Sequence, residues 1–300
     1  MIEKYYSGVI EQIYNRIGKE TRNIVMANYS NDFSIENLEV IRRYQSNEDN
    51  VFFAYSEFSY NTLVGAYEPF LDIICNMHRR FIGGSFDDFQ KECGVYYLHR
   101  QVLNSYYETG ECFREETVLL NEVAYEQRRM TMAIADMLKK LSEVKPLMIV
   151  INRFQMASKS SIETIKYLID NPCANIGIVL GVNAIVKGTD STVEVWDRIV
   201  ESLEDRSAIY YIGSAGPLKN NVKTTNDDEL YITMNFEQSI QEASNIMEFL
   251  DFEQARRGCR IIEHKLKFED AWIDEKSLRR FYMVYALSLI HISEPTRQAE

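Results

Sequence analysis

The stretch Lys145–Leu168, KPLMIVINRFQMASKSSIETIKYL, decides the fold class of this chain. Five consecutive apolar residues, Leu147–Ile151, follow a proline, which is typical of a central parallel strand covered on both faces. A polar break comes next. From about Ser160 onward, apolar residues recur every three or four positions on one face of a helix. The sequence therefore predicts a buried strand, a polar turn and an amphipathic helix.

The segments on either side of this stretch repeat the same alternation. Apolar runs predict four further strands at residues 23–28, 51–55, 175–182 and 208–212. Amphipathic patterns predict helices at residues 2–18, 34–44, 114–141 and 192–203. Strands that alternate with helices predict an α/β fold with a doubly wound parallel sheet. A polar loop or boundary is expected at residues 213–229, and a helical segment from about Phe236.

Composition limits the classes of function. The 300 residues are 46% hydrophobic and 26% charged, as in ordinary globular proteins. The net charge of −12 disfavours non-specific nucleic-acid binding, which needs a surplus of Lys and Arg. The five cysteines include no CxxC pair, which indicates neither a zinc site nor a disulfide frame. No signal peptide or apolar run of about 18 residues is present in the sequence. We expect a cytoplasmic protein that binds neither nucleic acid nor membrane.

The central stretch resembles the Walker B segment of the AAA-like signal-transduction ATPases with numerous domains, the STAND class. In that class the strand ends in acidic residues and leads to a pattern like Leu-Gln-Trp-Ala-Asp, a serine and a leucine-rich helix. Here Phe154–Ser158 occupies the pattern and Ser161 the serine. Tyr67, Pro69 and Phe70 are similar to the Tyr-x-Pro-Phe of the class. The resemblance implies a P-loop NTPase-like sheet with flanking helices for residues 1–235.

The phosphate loop that this class requires is degenerate. A P-loop needs glycines whose amides wrap the phosphates, a lysine that reaches the β/γ oxygens, and a hydroxyl that holds magnesium. The segment Arg16–Thr21 has a Gly-Lys pair but precedes the first predicted strand. The segment NYSNDFSI, residues 28–35, follows that strand but contains neither glycine nor lysine. The degenerate Walker A position is therefore assigned to Asn28, Asn31, Ser34 and Ile35.

The acidic residues of the Walker B position are also missing. Asn152 and Arg153 stand where a carboxylate would hold magnesium and polarise water, and asparagine cannot act as a general base near neutral pH. Asn183, after the next strand, occupies the place of a sensor residue of AAA proteins, although a loop-capping role is the favoured interpretation. The sequence predicts no catalytic residue, no metal site and no cofactor, with ATP and magnesium expected only if an atypical ATPase is the right interpretation.

The C-terminal part is expected to be helical. Residues 236–286 resemble the helix pairs that begin a tetratricopeptide-like array, although no full consensus unit is present. Residues 287–300, LSLIHISEPTRQAE, depart from the preceding helical pattern and are similar to translated sequencing adapters. We predict that this tail is not native and that the chain is the N-terminal fragment of a longer protein.

Three hypotheses follow. The first is a non-catalytic ATPase-like regulatory or protein-interaction module, whose partners are other proteins or its own missing C-terminal output domain. In related architectures that output is often a DNA-binding or cyclic-dinucleotide-synthesising domain. The second is an atypical but active ATP-binding switch. The third is a sensor module that binds another small ligand in the vacated cleft.

Overall fold

A five-stranded parallel sheet forms the centre of the protein. The computed structural model describes residues 2–29, 38–46, 50–59, 63–113, 122–183, 186–187, 190–205, 209–212, 223–224, 236–268 and 274–293. The strands of the sheet and a separate short pair are β1 (Ile24–Tyr29), β2 (Phe52–Glu57), β3 (Leu147–Asn152), β4 (Ile176–Asn183), β5 (Val186–Lys187), β6 (Ile209–Ile212) and β7 (Lys223–Thr224). The sheet order is β2-β3-β4-β1-β6, and every neighbouring pair is parallel. The predicted α/β class with a parallel sheet is confirmed.

Helices connect and flank these strands. They are α1 (Ile2–Arg16), α2 (Glu39–Ser46), α3 (Phe70–Met77), α4 (Phe86–Glu92), α5 (Tyr97–Thr109), α6 (Val123–Val144), α7 (Lys159–Asp170), α8 (Asp190–Glu204), α9 (Phe236–Glu248), α10 (Phe252–Phe268) and α11 (Glu275–Ser293). One π-helical turn continues α3, and one 3₁₀ turn lies between β3 and α7. The stretch that decides the fold class thus forms β3 and α7 as predicted.

The helices cover both faces of the sheet. The crossover from β1 to β2 runs opposite to the three later crossovers, so right-handed connections place their helices on opposite faces. On one face, the Tyr14 ring of α1 stacks on Tyr44 of α2 at 3.9 Å, and Tyr44 contacts Phe53 of β2. On the other face α3, α6, α7 and α8 pack side by side. Every residue of β3 and β4 is buried, because these central strands have helices above and below.

The three C-terminal helices pack on one another, and Phe249, directly after α9, contacts Tyr67 and Tyr106 of the α/β part. Side chains of α9 and α10 supply polar contacts across this boundary. Asn245 donates a hydrogen bond to the Gly110 carbonyl and accepts one from the Cys112 amide, at 3.1 and 3.0 Å. Gln254 donates to the Val64 carbonyl at 3.0 Å. The tetratricopeptide-like character of these helices stays a prediction.

One boundary differs from the sequence prediction. The helical pattern was expected to end near Ala286, but α11 continues to Ser293. No residue between these two positions prevents a helix, and the first proline of the tail is Pro295, which disfavours the helical conformation of the residue before it. Whether residues 287–300 are native stays a prediction.

Several predicted features lie outside the described residues, including the segment 30–37 and most of the loop at 213–229. Among the residues that the structure describes, no helix is both long and apolar enough to cross a membrane.

Candidate functional site

The candidate site lies at the carboxyl edge of the sheet. Adjacent strands β1 and β4 send their following connections in opposite directions, toward β2 and toward β6 respectively. In open α/β sheets a crevice for ligands forms at such a point, outside the carboxyl ends of the strands. The predicted positions Asn28, Asn152, Arg153 and Asn183 all lie at this edge.

Asn152 closes the middle of this edge through a contact with β1. Its side chain is fully buried, and its Oδ1 accepts a hydrogen bond from the Tyr29 hydroxyl at 2.8 Å. Strand β4 lies between β3 and β1, so this bond has to pass over β4. Gly181 of β4 makes the passage possible, because a Cβ at that position would lie 2.8 Å from Asn152 Oδ1. The Asn152 amide is therefore bound inside the protein rather than presented to a ligand.

Tyr6 of α1 fills the remaining space above Gly181. Its hydroxyl oxygen is the atom that a Cβ on Gly181 would overlap most, and its ring meets the Tyr29 ring edge-on at a centroid distance of 6.5 Å. Burial, reinforced by Tyr29, Tyr55 and Glu57, raises the pKa of Tyr6 well above its usual value. Tyr6 consequently stays neutral, and it caps the crevice with an aromatic ring and a hydroxyl.

A carboxylate that the sequence analysis missed lies beside Asn152. Glu57 ends β2 and pairs in register with Asn152 on β3. Its Oε1 lies 3.1 Å from Arg153 Nη1, and its Oε2 accepts a hydrogen bond from the Tyr55 hydroxyl. Arg153 adopts a left-handed conformation with φ of 55°, which is uncommon outside glycine and turns the chain directly after β3. The carboxylate is thus paired with Arg153, one of the site residues predicted from the sequence.

The sensor-like position has a structural partner. Asn183 ends β4, is buried, and its backbone N–H donates to Gln155 Oε1 at 3.2 Å. Gln155 belongs to the 3₁₀ turn after β3, so this bond ties the ends of β3 and β4 together. The contact fits the loop-capping interpretation that the sequence favoured, although it involves the backbone of Asn183.

Asn28 lies on the opposite face of β1 from this cluster. Successive side chains of a strand alternate, and the neighbouring Tyr29 points toward α1 and Asn152. Asn28 is fully buried, and within the described part of the chain neither atom of its amide group has a hydrogen-bond partner. The other three residues of the degenerate Walker A position, Asn31, Ser34 and Ile35, lie outside the described residues. The structure therefore brings Asn152, Arg153 and Asn183 together but not Asn28.

A separate cavity of about 400 Å³ lies between α6, α7 and the turn from α9 to α10. Its wall includes the aromatic rings of Tyr67 and Phe249 and the buried carboxyl of Asp251. Asp251 accepts hydrogen bonds from the amides of Ser160 and Gln254, both at 3.3 Å, so it caps the start of α7 and of α10. Burial raises the pKa of Asp251, and these hydrogen bonds partly oppose that shift. Sequence reasoning missed this residue, because nothing local marks an acid that serves two helices distant in the chain.

The described residues contain no group of three or more His, Cys, Asp or Glu side chains arranged to hold a metal ion. A scan against models of known protein families finds no match for this chain. A search of curated proteins finds no relative with significant similarity.

Proposed function

We propose that this chain is a non-catalytic, ATPase-like regulatory module whose nucleotide crevice is closed by its own side chains. The observation that carries the proposal is the buried hydrogen bond from Tyr29 to Asn152 across Gly181. Phosphoryl transfer depends on cations that neutralise the phosphates and on a carboxylate that holds magnesium or orients the nucleophile. Here the end of β3 carries the amide of Asn152 instead of a carboxylate, and Tyr29 already binds that amide.

The neighbouring charges support the same conclusion. Glu57 is the carboxylate nearest in register to Asn152, and Arg153 and Tyr55 both bind it. Exchanging this ion pair for a metal would leave Arg153, which is about one-fifth exposed, without its partner and close to the metal. The sequence of residues 28–35 adds no lysine and no glycine to hold phosphates. Internal contacts thus occupy one part of the expected machinery, at the end of β3, and the sequence lacks the residues of the other part.

The regulatory part of the proposal rests on the firm attachment of the C-terminal helices. Their side chains bind backbone groups of the α/β part at Val64, Gly110 and Cys112, and Asp251 binds the Ser160 amide. Hydrogen bonds of this kind fix orientation, because a buried backbone group that loses its partner costs about 1–3 kcal/mol. The module therefore holds its helical segment in one orientation, where it contacts other proteins or restrains a following domain.

Titration with ATP tests the proposal. We expect no change in the melting temperature between 0 and 5 mM ATP with magnesium, measured by scanning calorimetry with ADP and with ATP plus EDTA as controls. A ligand present at about 1,000 times its Kd would stabilise the native state by about 4 kcal/mol, which is easily measured. Magnesium-dependent binding of ATP at micromolar Kd would overturn the proposal and favour an active ATP-binding switch.

A second candidate function is a small-ligand sensor, which the 400 Å³ cavity favours. The cavity combines aromatic walls with polar groups, as small-molecule sites do. Thr131 lines it, and Thr131→Trp fills part of that space. A metabolite that raises the melting temperature of the wild-type chain but not of the Thr131→Trp variant would support this function.

A further inference from the structure

Three acidic side chains meet where α9 packs against the α/β part. Glu68 lies just before α3, Asp72 lies in the first turn of α3, and Glu242 comes from α9. Gly65 brings two of them together: its amide donates to Glu68 Oε2 at 2.8 Å. A Cβ on Gly65 would lie 2.7 Å from Glu242 Oε1 and 3.4 Å from Glu68 Oε2. Both carboxyl groups therefore approach the same glycine from opposite sides of the boundary.

Arg80 is a basic residue near this cluster, since it lines the same groove as Glu68 and Asp72. Asp72 is exposed and accepts a hydrogen bond from the Tyr106 hydroxyl of α5 at 2.9 Å. Asn245 provides Glu242 with a side-chain hydrogen bond. The charged groups that act on Glu242 are Glu68 and Asp72, and both repel its ionised form.

One basic side chain of α11, that of Arg280, is directed toward polar groups of α9 rather than toward this cluster. Arg280 of α11 binds Gln241 and donates to Ser244 Oγ at 3.2 Å, both on α9. Burial, followed by the charges of Glu68 and Asp72, raises the pKa of Glu242 to about 7. Burial also raises the pKa of Glu68.

We propose that α9 is a proton-dependent latch, in which protonated Glu242 packs against Gly65 beside Glu68 and ionised Glu242 is repelled from them. The groove along β2 includes Glu68 and Asp72 among its lining residues, so water and protons reach the cluster from that side. The latch does not depend on whether the crevice at the other side of the sheet binds a nucleotide. It adds to the proposed module a signal, pH, that changes how firmly the helical segment is attached.

The direction of the effect follows from the sign of the shift. A carboxyl whose pKa is higher in the docked state binds more protons there, so docking is strongest below the ordinary pKa of about 4.5. Docking weakens as the pH rises toward about 7 and changes little above it. Between pH 6 and pH 8, the equilibrium constant for docking should fall about tenfold.

Hydrogen exchange measured by mass spectrometry tests the latch on the full chain. After correction for the intrinsic exchange rate, we expect protection of the α9 amides, residues 236–248, to fall about tenfold between pH 6 and pH 8. Glu242→Gln should remove this dependence, because a neutral amide keeps the shape of the protonated acid. Glu237→Gln is the matched control: Glu237 is an exposed residue of the same helix, and its replacement should leave the pH dependence unchanged.

A second variant keeps the test decisive if Glu242→Gln folds poorly. Glu68→Gln removes one repelling charge while its amide oxygen can still accept from Gly65, so the midpoint of the pH dependence should move to lower pH. Equal protection of α9 at pH 6 and pH 8 in the wild-type chain would overturn the proposal. A midpoint that stays in place in Glu68→Gln would also overturn it.

Discussion

Gly181→Ala is the substitution that most directly tests how the crevice is closed. The new methyl group would overlap the Tyr6 hydroxyl and lie 2.8 Å from Asn152 Oδ1, and both atoms are fully buried. Neither neighbour can withdraw into solvent, because the Tyr6 side chain is buried between α1 and the sheet and Asn152 is held by Tyr29. The Tyr29–Asn152 hydrogen bond should therefore stretch or break.

The expected loss of stability is about 3 kcal/mol, the centre of a range of about 1–5 kcal/mol. Overpacking a core typically costs about 1–3 kcal/mol, and disturbing a buried hydrogen bond costs about 1–3 kcal/mol more. Alanine has fewer backbone conformations than glycine in the unfolded chain, and this difference stabilises the native state by about 0.4–1 kcal/mol. Gly177→Ala is the matched control on the same strand, where the three atoms nearest to the new methyl are side-chain carbons of Ile13 and Ile17, all at 2.9 Å. This control overpacks the core as well but disturbs no hydrogen bond, so it should cost about 1–3 kcal/mol less than Gly181→Ala.

The free energy of unfolding of both variants is measured by urea titration, with circular dichroism as the signal. A double-mutant cycle with Tyr6→Phe then isolates the contact, because phenylalanine lacks the hydroxyl that the methyl overlaps. We expect Tyr6→Phe to recover at least about 1 kcal/mol in the Gly181→Ala background relative to its effect in the wild type. The reasoning is refuted if the two glycine variants differ by less than about 1 kcal/mol, or if the cycle shows no coupling.

Two further predictions concern buried polar groups. Tyr29→Phe removes the donor to Asn152 and should lower the free energy of unfolding by about 1–3 kcal/mol in urea titrations, whereas Tyr5→Phe on the exposed side of α1 should not change it. An equal response of the two variants would contradict the assigned bond. Asp251→Ala removes the hydrogen bonds to the Ser160 amide of α7 and the Gln254 amide of α10 together, while Ser158 still caps α7, and it should cost about 1–4 kcal/mol, with faster hydrogen exchange in the first turns of both helices. Faster exchange in only one helix would show that the carboxyl does not serve both.

The sequence predicted the elements that local pattern determines. The apolar run after Pro146 became β3, and the periodic residues after Ser158 became α7, with Ser158 accepting from the Ser161 amide as its cap. Such features depend on residues close in the chain. The order of the strands was not predicted, because it is set by which crossovers pack together rather than by any one segment.

The contacts that close the crevice could not be predicted in the same way. Glu57 was overlooked because the apolar run suggested that its strand ended at Tyr55, and only the register with β3 places it beside Asn152. The role of Gly181 depends on Tyr6, which comes from a helix far away in the sequence. A glycine inside a strand does signal a close approach, and this was the one sequence feature that could have indicated the site.

The crevice and the latch share one element, the start of α7. A short turn, fixed by the bond between Gln155 and the Asn183 amide, joins the end of β3 to this helix. Ser160 then accepts from the Tyr67 amide at 3.1 Å, and Ser161 donates to the Glu68 carbonyl at 2.8 Å. The segment that carries Glu68 is thus held by the helix that begins at the crevice. Energetic coupling between two sites can pass through a rigid element that both sites contact. Here that element is the start of α7, and the protein's own hydrogen bonds hold it in place. These contacts join the carboxyl edge of the sheet, through α7, to the segment against which α9 packs.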